Sequence, residues 1–295
     1  MKCHPVSSAV LVFASGACVL ACTIWNGVAL PVAADAGPAD ASDAATSDRY
    51  RREVIADAPL AYWRAERSAG GSSRTVPDAT GRAPACTLSS NATLTDGALP
   101  GAIGVHVGSG GSMECASAAS DDFSFPRRAP FTIEAFVALD PNGPRETAEY
   151  RHILDRTSGG GGADRLGYAI FLHRNVNEDT WELALESWRG DGTLDYVNAR
   201  LSPAVSSGAW FHLVLARDGS GRFSLYVDGE HRGDRASVDA PPATGVRTIV
   251  GQNQDRSCCS LRGAIAELAV FGKALGAADV RRHVDSARSD GFVPR

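Results

Sequence analysis

The clearest hydrophobic pattern in the chain runs over residues 210–229, WFHLVLARDGSGRFSLYVDG. Phe211, Leu213 and Leu215 alternate with His212, Val214 and Ala216, the period of two expected of a strand with one buried face. Asp218-Gly219-Ser220-Gly221 supplies residues that tolerate a left-handed backbone, so the chain can reverse there. Phe223, Leu225 and Val227 restart the alternation, and Asp228-Gly229 gives a tight hairpin turn before the return at 230–232. The pattern predicts three antiparallel strands in a meander.

Similar runs recur along the chain. Phe131, Ile133, Ala135 and Val137 form one face of a strand, with Thr132, Glu134 and Phe136 on the other. Four further strands are predicted at 152–154, 168–172, 181–188 and 194–201. A short helix follows at 277–286, with Val280 and Val284 facing inwards. The glycine run 159–162 predicts a loop. Residues 35–52 show no apolar pattern and read as a disordered acidic Ala/Asp/Ser linker. Residues 53–290 are then one folded domain and 291–295 a tail.

Composition narrows the function. Thirty-one glycines and 15 prolines suit a turn-rich all-β chain. A net charge of -5, with no basic block, argues against a nucleic-acid partner. The apolar stretch 9–24 behind Lys2 reads as an export signal ending at residue 34, before Asp35, and no transmembrane segment remains once it is removed. The alternative is a lipoprotein signal ending at residue 21, with a lipid anchor on Cys22. Either way the protein is expected to be secreted or held at the cell surface. Outside the leader stand Cys86, Cys115, Cys258 and Cys259, and an exported chain favours disulfides over zinc for them. The first pairing considered links the 258–259 loop to Cys86 and Cys115. The second joins Cys86 to Cys115 and closes the adjacent pair on itself.

The wording of these strands resembles a known family. W-F-H, L-Y-V-D-G, Tyr62-Trp63-Arg64, the Pro77–Gly81 turn, F-T-I-E-A-F-V at 131–137 and G-A-I-A-E-L-A-V-F at 263–271 look like phrases of the laminin G-like, concanavalin A-like domains. The resemblance implies an all-β antiparallel β-sandwich (a jelly roll) with a short C-terminal helix. It also implies a structural Ca2+ ion between the 77–81 turn and an Asp in the closing strand. Asp78 and the Gly81 carbonyl fit that site, but Ala266 stands where the second carboxylate belongs. Alternation turns Glu267 away from Ala266, so the preferred reading is that Asp78 only shapes its turn.

Two further chemistries are open to these residues. Sugar sites pair an aromatic platform with planar hydrogen-bonding groups, which makes Trp188, Tyr196, Glu186 and Arg189 a candidate patch, with Trp181 assigned to the core. Glycoside hydrolysis needs two facing carboxylates, and Glu182 with Glu186 on one strand is a poor match. His212 has no nucleophile motif to serve and reads as structural. The expectation is an exported, non-enzymatic module that binds carbohydrate or an extracellular protein. A glycan-cleaving hydrolase and a purely structural surface protein are the alternatives.

Overall fold

The computed structural model describes residues 48–66, 74–115, 123–126, 128–140, 149–158, 164–175, 180–191, 193–201, 208–236 and 243–294. The leader, Cys22, residues 35–47 and the glycine run 159–162 lie outside them.

Helix α1 (Arg49–Ala56) comes first, and helix α2 (Ala277–Ser289) closes the described chain. Between them run β1 (Ala61–Trp63), β2 (Thr75–Val76), β3 (Cys86–Leu88), β4 (Ala92–Asp96), β5 (Ile103–Val107) and β6 (Met113–Cys115). Next are β7 (Phe131–Leu139), β8 (Tyr150–Thr157), β9 (Leu166–Asn175), β10 (Thr180–Arg189) and β11 (Leu194–Leu201). The last are β12 (Trp210–Arg217), β13 (Arg222–Val227), β14 (Glu230–Ala236), β15 (Thr248–Val250) and β16 (Gly263–Phe271).

They form two antiparallel sheets. Sheet I has the order β14-β13-β12-β7-β16-β5-β4, with β1 also paired to β16. Sheet II has the order β11-β10-β9-β8-β15-β6-β3-β2. The predicted meander is β12–β13–β14, with Leu213 opposite Val227 and Leu215 opposite Leu225. Phe131, Ile133, Ala135 and Val137 of β7 enter the core between the sheets, where they meet Ile170 and Leu172 of β9 and Leu183 and Leu185 of β10.

The outer face of sheet I is buried as well. Tyr50 and Val54 of α1 and Val280 and Ala287 of α2 pack on Phe136, Val214 and Phe271 as a second core. This corrects the expected linker: residues 49–52 are the opening turn of α1. Tyr50 and Val54, four residues apart on one helix face, are fully buried. The Tyr50 amide also donates to Asp290 at 2.8 Å.

A charged network lies inside this second core. Glu134 is completely buried and accepts from the Tyr50 hydroxyl at 3.0 Å. Its carboxylate lies 2.7 Å from Nε2 of His212 and 2.9 Å from Nδ1 of His283. The other ring nitrogen of His283 reaches Asp57 at 3.0 Å, and Asp57 holds Lys273 and Arg282. Burial pushes the Glu134 carboxyl up, but the two histidines outweigh it and hold it well below the usual range. Burial likewise pushes His283 down, and Glu134 and Asp57 more than reverse that. His212 is fully buried in this network.

The cysteines follow the second pairing. Cys86 bonds Cys115 and Cys258 bonds Cys259. The first pairing fails because Cys86 and Cys115 are directly opposed on the neighbouring strands β3 and β6.

Candidate functional site

The outer face of sheet II carries no helix among the described residues. Alternation along β9 sends Tyr168, Ile170 and Leu172 to the core and Ala169, Phe171 and His173 outwards. Along β10 it sends Leu183, Leu185 and Ser187 inwards and leaves Glu182, Ala184, Glu186 and Trp188 outside. The register then builds rows across the sheet. One row reads Asp155, Ala169, Glu186, Tyr196; the next reads His152, Phe171, Ala184, Asn198; a third reads Tyr150, His173, Glu182, Arg200.

Aromatic rings fill the middle of this face. His152 stacks on Phe171 with centroids 5.3 Å apart, and Tyr150 stacks on His173 at 4.7 Å. Tyr196 lies 6.1 Å from Phe171 on the other side. Tyr150 and Tyr196 stay exposed at 43% and 41%, while Ala169, Phe171 and Ala184 beneath them are fully buried. The result is a floor of small and aromatic side chains with ring walls. Arg165 lies over the Trp188 ring at 4.9 Å.

Polar groups are set among the rings. Glu186 is half-buried and makes no hydrogen bond among the described residues. Burial pushes its carboxyl up, and nearby His152 and Arg165 only partly offset that. Asp155 differs. It is fully buried and accepts from the Thr157 amide at 2.9 Å, the Thr157 hydroxyl at 2.8 Å and the Gln254 amide at 3.1 Å. Burial raises its carboxyl, but His152 and Thr157 outweigh that and hold it below the usual range. Glu182 accepts from Asn198 at 2.6 Å.

Of the predicted patch, Glu186 and Tyr196 are direct cross-strand partners, and Trp188 follows on the same face. Arg189 falls on the alternate parity at the strand end, so it does not join them. Trp181 packs partly buried against the core with Arg151 over its ring at 5.1 Å. Sequence reasoning missed Tyr150, His152, Phe171 and His173. The signal was present in the alternation of β9, whose non-core positions carry a ring at 171 and another at 173.

The residues at the expected calcium site do not fit the ion. Asp78 accepts from the amides of Tyr62, Thr80, Arg82 and Ala83 at 2.7, 3.2, 2.8 and 2.8 Å, and from the Thr80 hydroxyl at 2.5 Å. These donors fill the roughly four lone-pair positions of a carboxylate. Gly81 closes the same turn, donating its amide to the Asp78 carbonyl at 3.1 Å. Ala266 is buried in the core under the helices. The alternation argument for Glu267 needs correction. A bulge between Ala266 and Ala269, with Glu267 at φ 55°, breaks the period of two. Its carboxylate meets the hydroxyl of Tyr62 and, at 3.3 Å, Arg64. Among the described residues no group of three or more His, Cys, Asp or Glu could hold a metal ion.

Comparison with known proteins agrees with this fold. A sequence model described as the concanavalin A-like lectin/glucanases superfamily matches residues 110–281, more than half of the chain. The chain belongs to that superfamily. Solved structures show the same fold at low identity. The binding domain of Paraclostridial Mosquitocidal Protein 1 is 12% identical with a TM-score of 0.57, over 77% of this chain and 52% of that one. The botulinum neurotoxin serotype D ligand-binding domain, solved with N-acetylneuraminic acid, is 10% identical with a TM-score of 0.55, over 79% and 52%. Domain 4 of AbnA, an extracellular arabinanase of Geobacillus stearothermophilus solved with arabinotriose, is 15% identical with a TM-score of 0.51, over 77% and 98%. The chain spans about half the length of the toxin domains. No curated protein matches it.

Proposed function

We propose that the protein is an exported carbohydrate-binding module whose ligand lies on the outer face of sheet II. The observation that carries this reading is the row pairing half-buried Glu186 with exposed Tyr196, beside Trp188 and above the Ala169–Phe171–Ala184 floor. Sugar C–H faces stack on rings, while hydroxyls donate to a carboxylate that makes no hydrogen bond among the described residues. The similar domains include one solved with arabinotriose and one with N-acetylneuraminic acid, which suits this choice over a protein partner. The secreted or surface location rests on the predicted leader and on the likeness to a domain of an extracellular arabinanase. No described helix is long and apolar enough to cross a membrane.

Binding is favoured over hydrolysis on geometric grounds. Glu182 and Glu186 lie side by side on the outer face of β10, whereas the two carboxyls of a glycosidase flank the scissile bond from opposite sides. Asp155, the other acid in the Glu186 row, is fully buried with its oxygens already engaged. Incubation with a polysaccharide panel tests the reading. Retention without product is expected. Released oligosaccharide that disappears in Glu186→Gln would replace it with the hydrolase.

A further inference from the structure

A cleft of about 470 Å³ opens at one end of the sandwich, where the turn after β5, the start of β8 and the loop before β16 meet. Its size falls within the range of small-molecule sites, about 300–1,000 Å³. It is separate from the Glu186–Trp188 patch, and only Tyr150 borders both.

Part of its wall is the Cys258–Cys259 disulfide, which closes two adjacent residues into a rigid ring with polarisable sulfur at its surface. The wall is fixed from three directions. The His152 amide donates to the Cys259 carbonyl at 2.9 Å, and the Cys258 amide reaches Asn253 at 3.3 Å. The Gly110 amide donates to the Ser260 hydroxyl at 2.9 Å, which in turn bonds Gln252 at 2.6 Å.

The charge is unbalanced. Arg151, 3% exposed, donates to Glu149 at 3.1 Å and to the Arg262 carbonyl at 3.0 Å. Its Nε is buried without a hydrogen-bond partner. The Arg262 guanidinium stands 4.0 Å from the same Glu149 and is 42% exposed. Two guanidinium groups therefore share one carboxylate, and Arg256, also lining the cleft, is engaged with Glu114 outside it. Arg262 is the accessible guanidinium, and the buried charge of Arg151 lies behind it, which suits an anion with planar acceptor geometry. The exposed Tyr150 ring and the disulfide offer an apolar surface next to that charge.

We propose that this end cleft binds a carboxylate-bearing sugar, with the carboxylate taken by Arg262 in the field of the buried Arg151 and the C–H face of the ring seated on the Cys258–Cys259 disulfide. The site stands independently of the sheet-face reading.

Titration calorimetry with digalacturonic acid, its dimethyl ester and N-acetylneuraminic acid tests it. At least one of the two acids is expected to bind, and more weakly as salt is raised. The neutral ester should bind at least tenfold more weakly than digalacturonic acid if that is the acid recognised. Arg262→Glu, at an exposed side chain, should weaken acid binding at least tenfold. The double variant Cys258→Ala/Cys259→Ala should weaken it several-fold with the Cys86–Cys115 bond intact. Acid binding lost in Trp188→Ala but kept in Arg262→Glu would place the acid on the sheet face and overturn the proposal. No heat with either acid, equal affinity for acid and ester, or wild-type affinity in both cleft variants would overturn the proposal. Tighter binding of a sulfated disaccharide than of either acid would overturn the carboxylate assignment.

Discussion

The two sheets of this sandwich present opposite solutions on their outer faces. On sheet I, two helices cover the strands, and the buried carboxylate of Glu134 is satisfied by Tyr50, His212 and His283. On sheet II, the described residues leave rings exposed and one carboxylate, Glu186, half-buried without a hydrogen bond. A polar group that is fully engaged by the protein has nothing left for a ligand, whereas one held in place without a partner does. The first face buries its carboxylate among partners under two helices, and the second leaves rings and a half-buried carboxylate open to solvent.

Glu134→Ala gives the largest expected effect. It leaves His212 and His283 buried without their anion, and removal of one partner from such a buried pair costs about 3–5 kcal/mol. Urea denaturation should show that loss, with Glu134→Gln milder because the amide still accepts. A loss under about 1 kcal/mol, the scale of exposed ion pairs, would show that the network is not a structural centre.

Stability should also depend on pH in a defined direction. The raised pKa of His283 adds stability that is complete below the ordinary imidazole value and lost as pH climbs through the raised one. The lowered pKa of Glu134 adds stability that is complete above the ordinary carboxylate value and lost as pH drops through the lowered one. Both contributions are whole between about 4.3 and 6.5. Urea midpoints should therefore fall from pH 5.5 towards pH 9, and His283→Gln should flatten that fall. An alkaline limb unchanged in His283→Gln would assign it to other groups.

Variants on sheet II should act on ligand rather than on folding. Tyr196→Ala is expected to weaken glycan binding about tenfold, the equivalent of ~1.4 kcal/mol, while the melting temperature stays near that of the wild type. Because its carboxyl is raised by burial, binding should strengthen as pH rises through the Glu186 pKa, and Glu186→Gln should abolish that trend. Calcium gives the smallest expected effect, with no measurable change in melting temperature because Asp78 is already engaged. A rise of many degrees reversed by EDTA would show that the ion displaces those donors.

Much of this contrast was legible in the sequence. Alternation in β7 and β12 gave the faces of both strands, and the D-G turn placed the β13–β14 hairpin. That Glu186 and Trp188 share a face of β10 was legible from the period of two, whereas the pairing of Glu186 with Tyr196 required the β10–β11 register. Other features were not. Helix α1 carries only Tyr50 and Val54 as its buried face, too few to stand out against an acidic spacer. The bulge at Glu267 depends on one residue adopting a left-handed backbone, which no spacing reveals. The choice between the two cysteine pairings required the register that opposes Cys86 and Cys115. The ring cluster of Tyr150, His152, Phe171 and His173 required the order of β8, β9 and β10, which local pattern does not specify.

The most direct test is affinity electrophoresis through gels containing a panel of polysaccharides, comparing the wild type with Trp188→Ala/Tyr196→Ala. At least one polysaccharide should retard the wild type, and the double variant should migrate freely through it while unfolding at a near-wild-type temperature. Equal retardation of the two proteins would mean that the outer face of sheet II is not where the ligand lies.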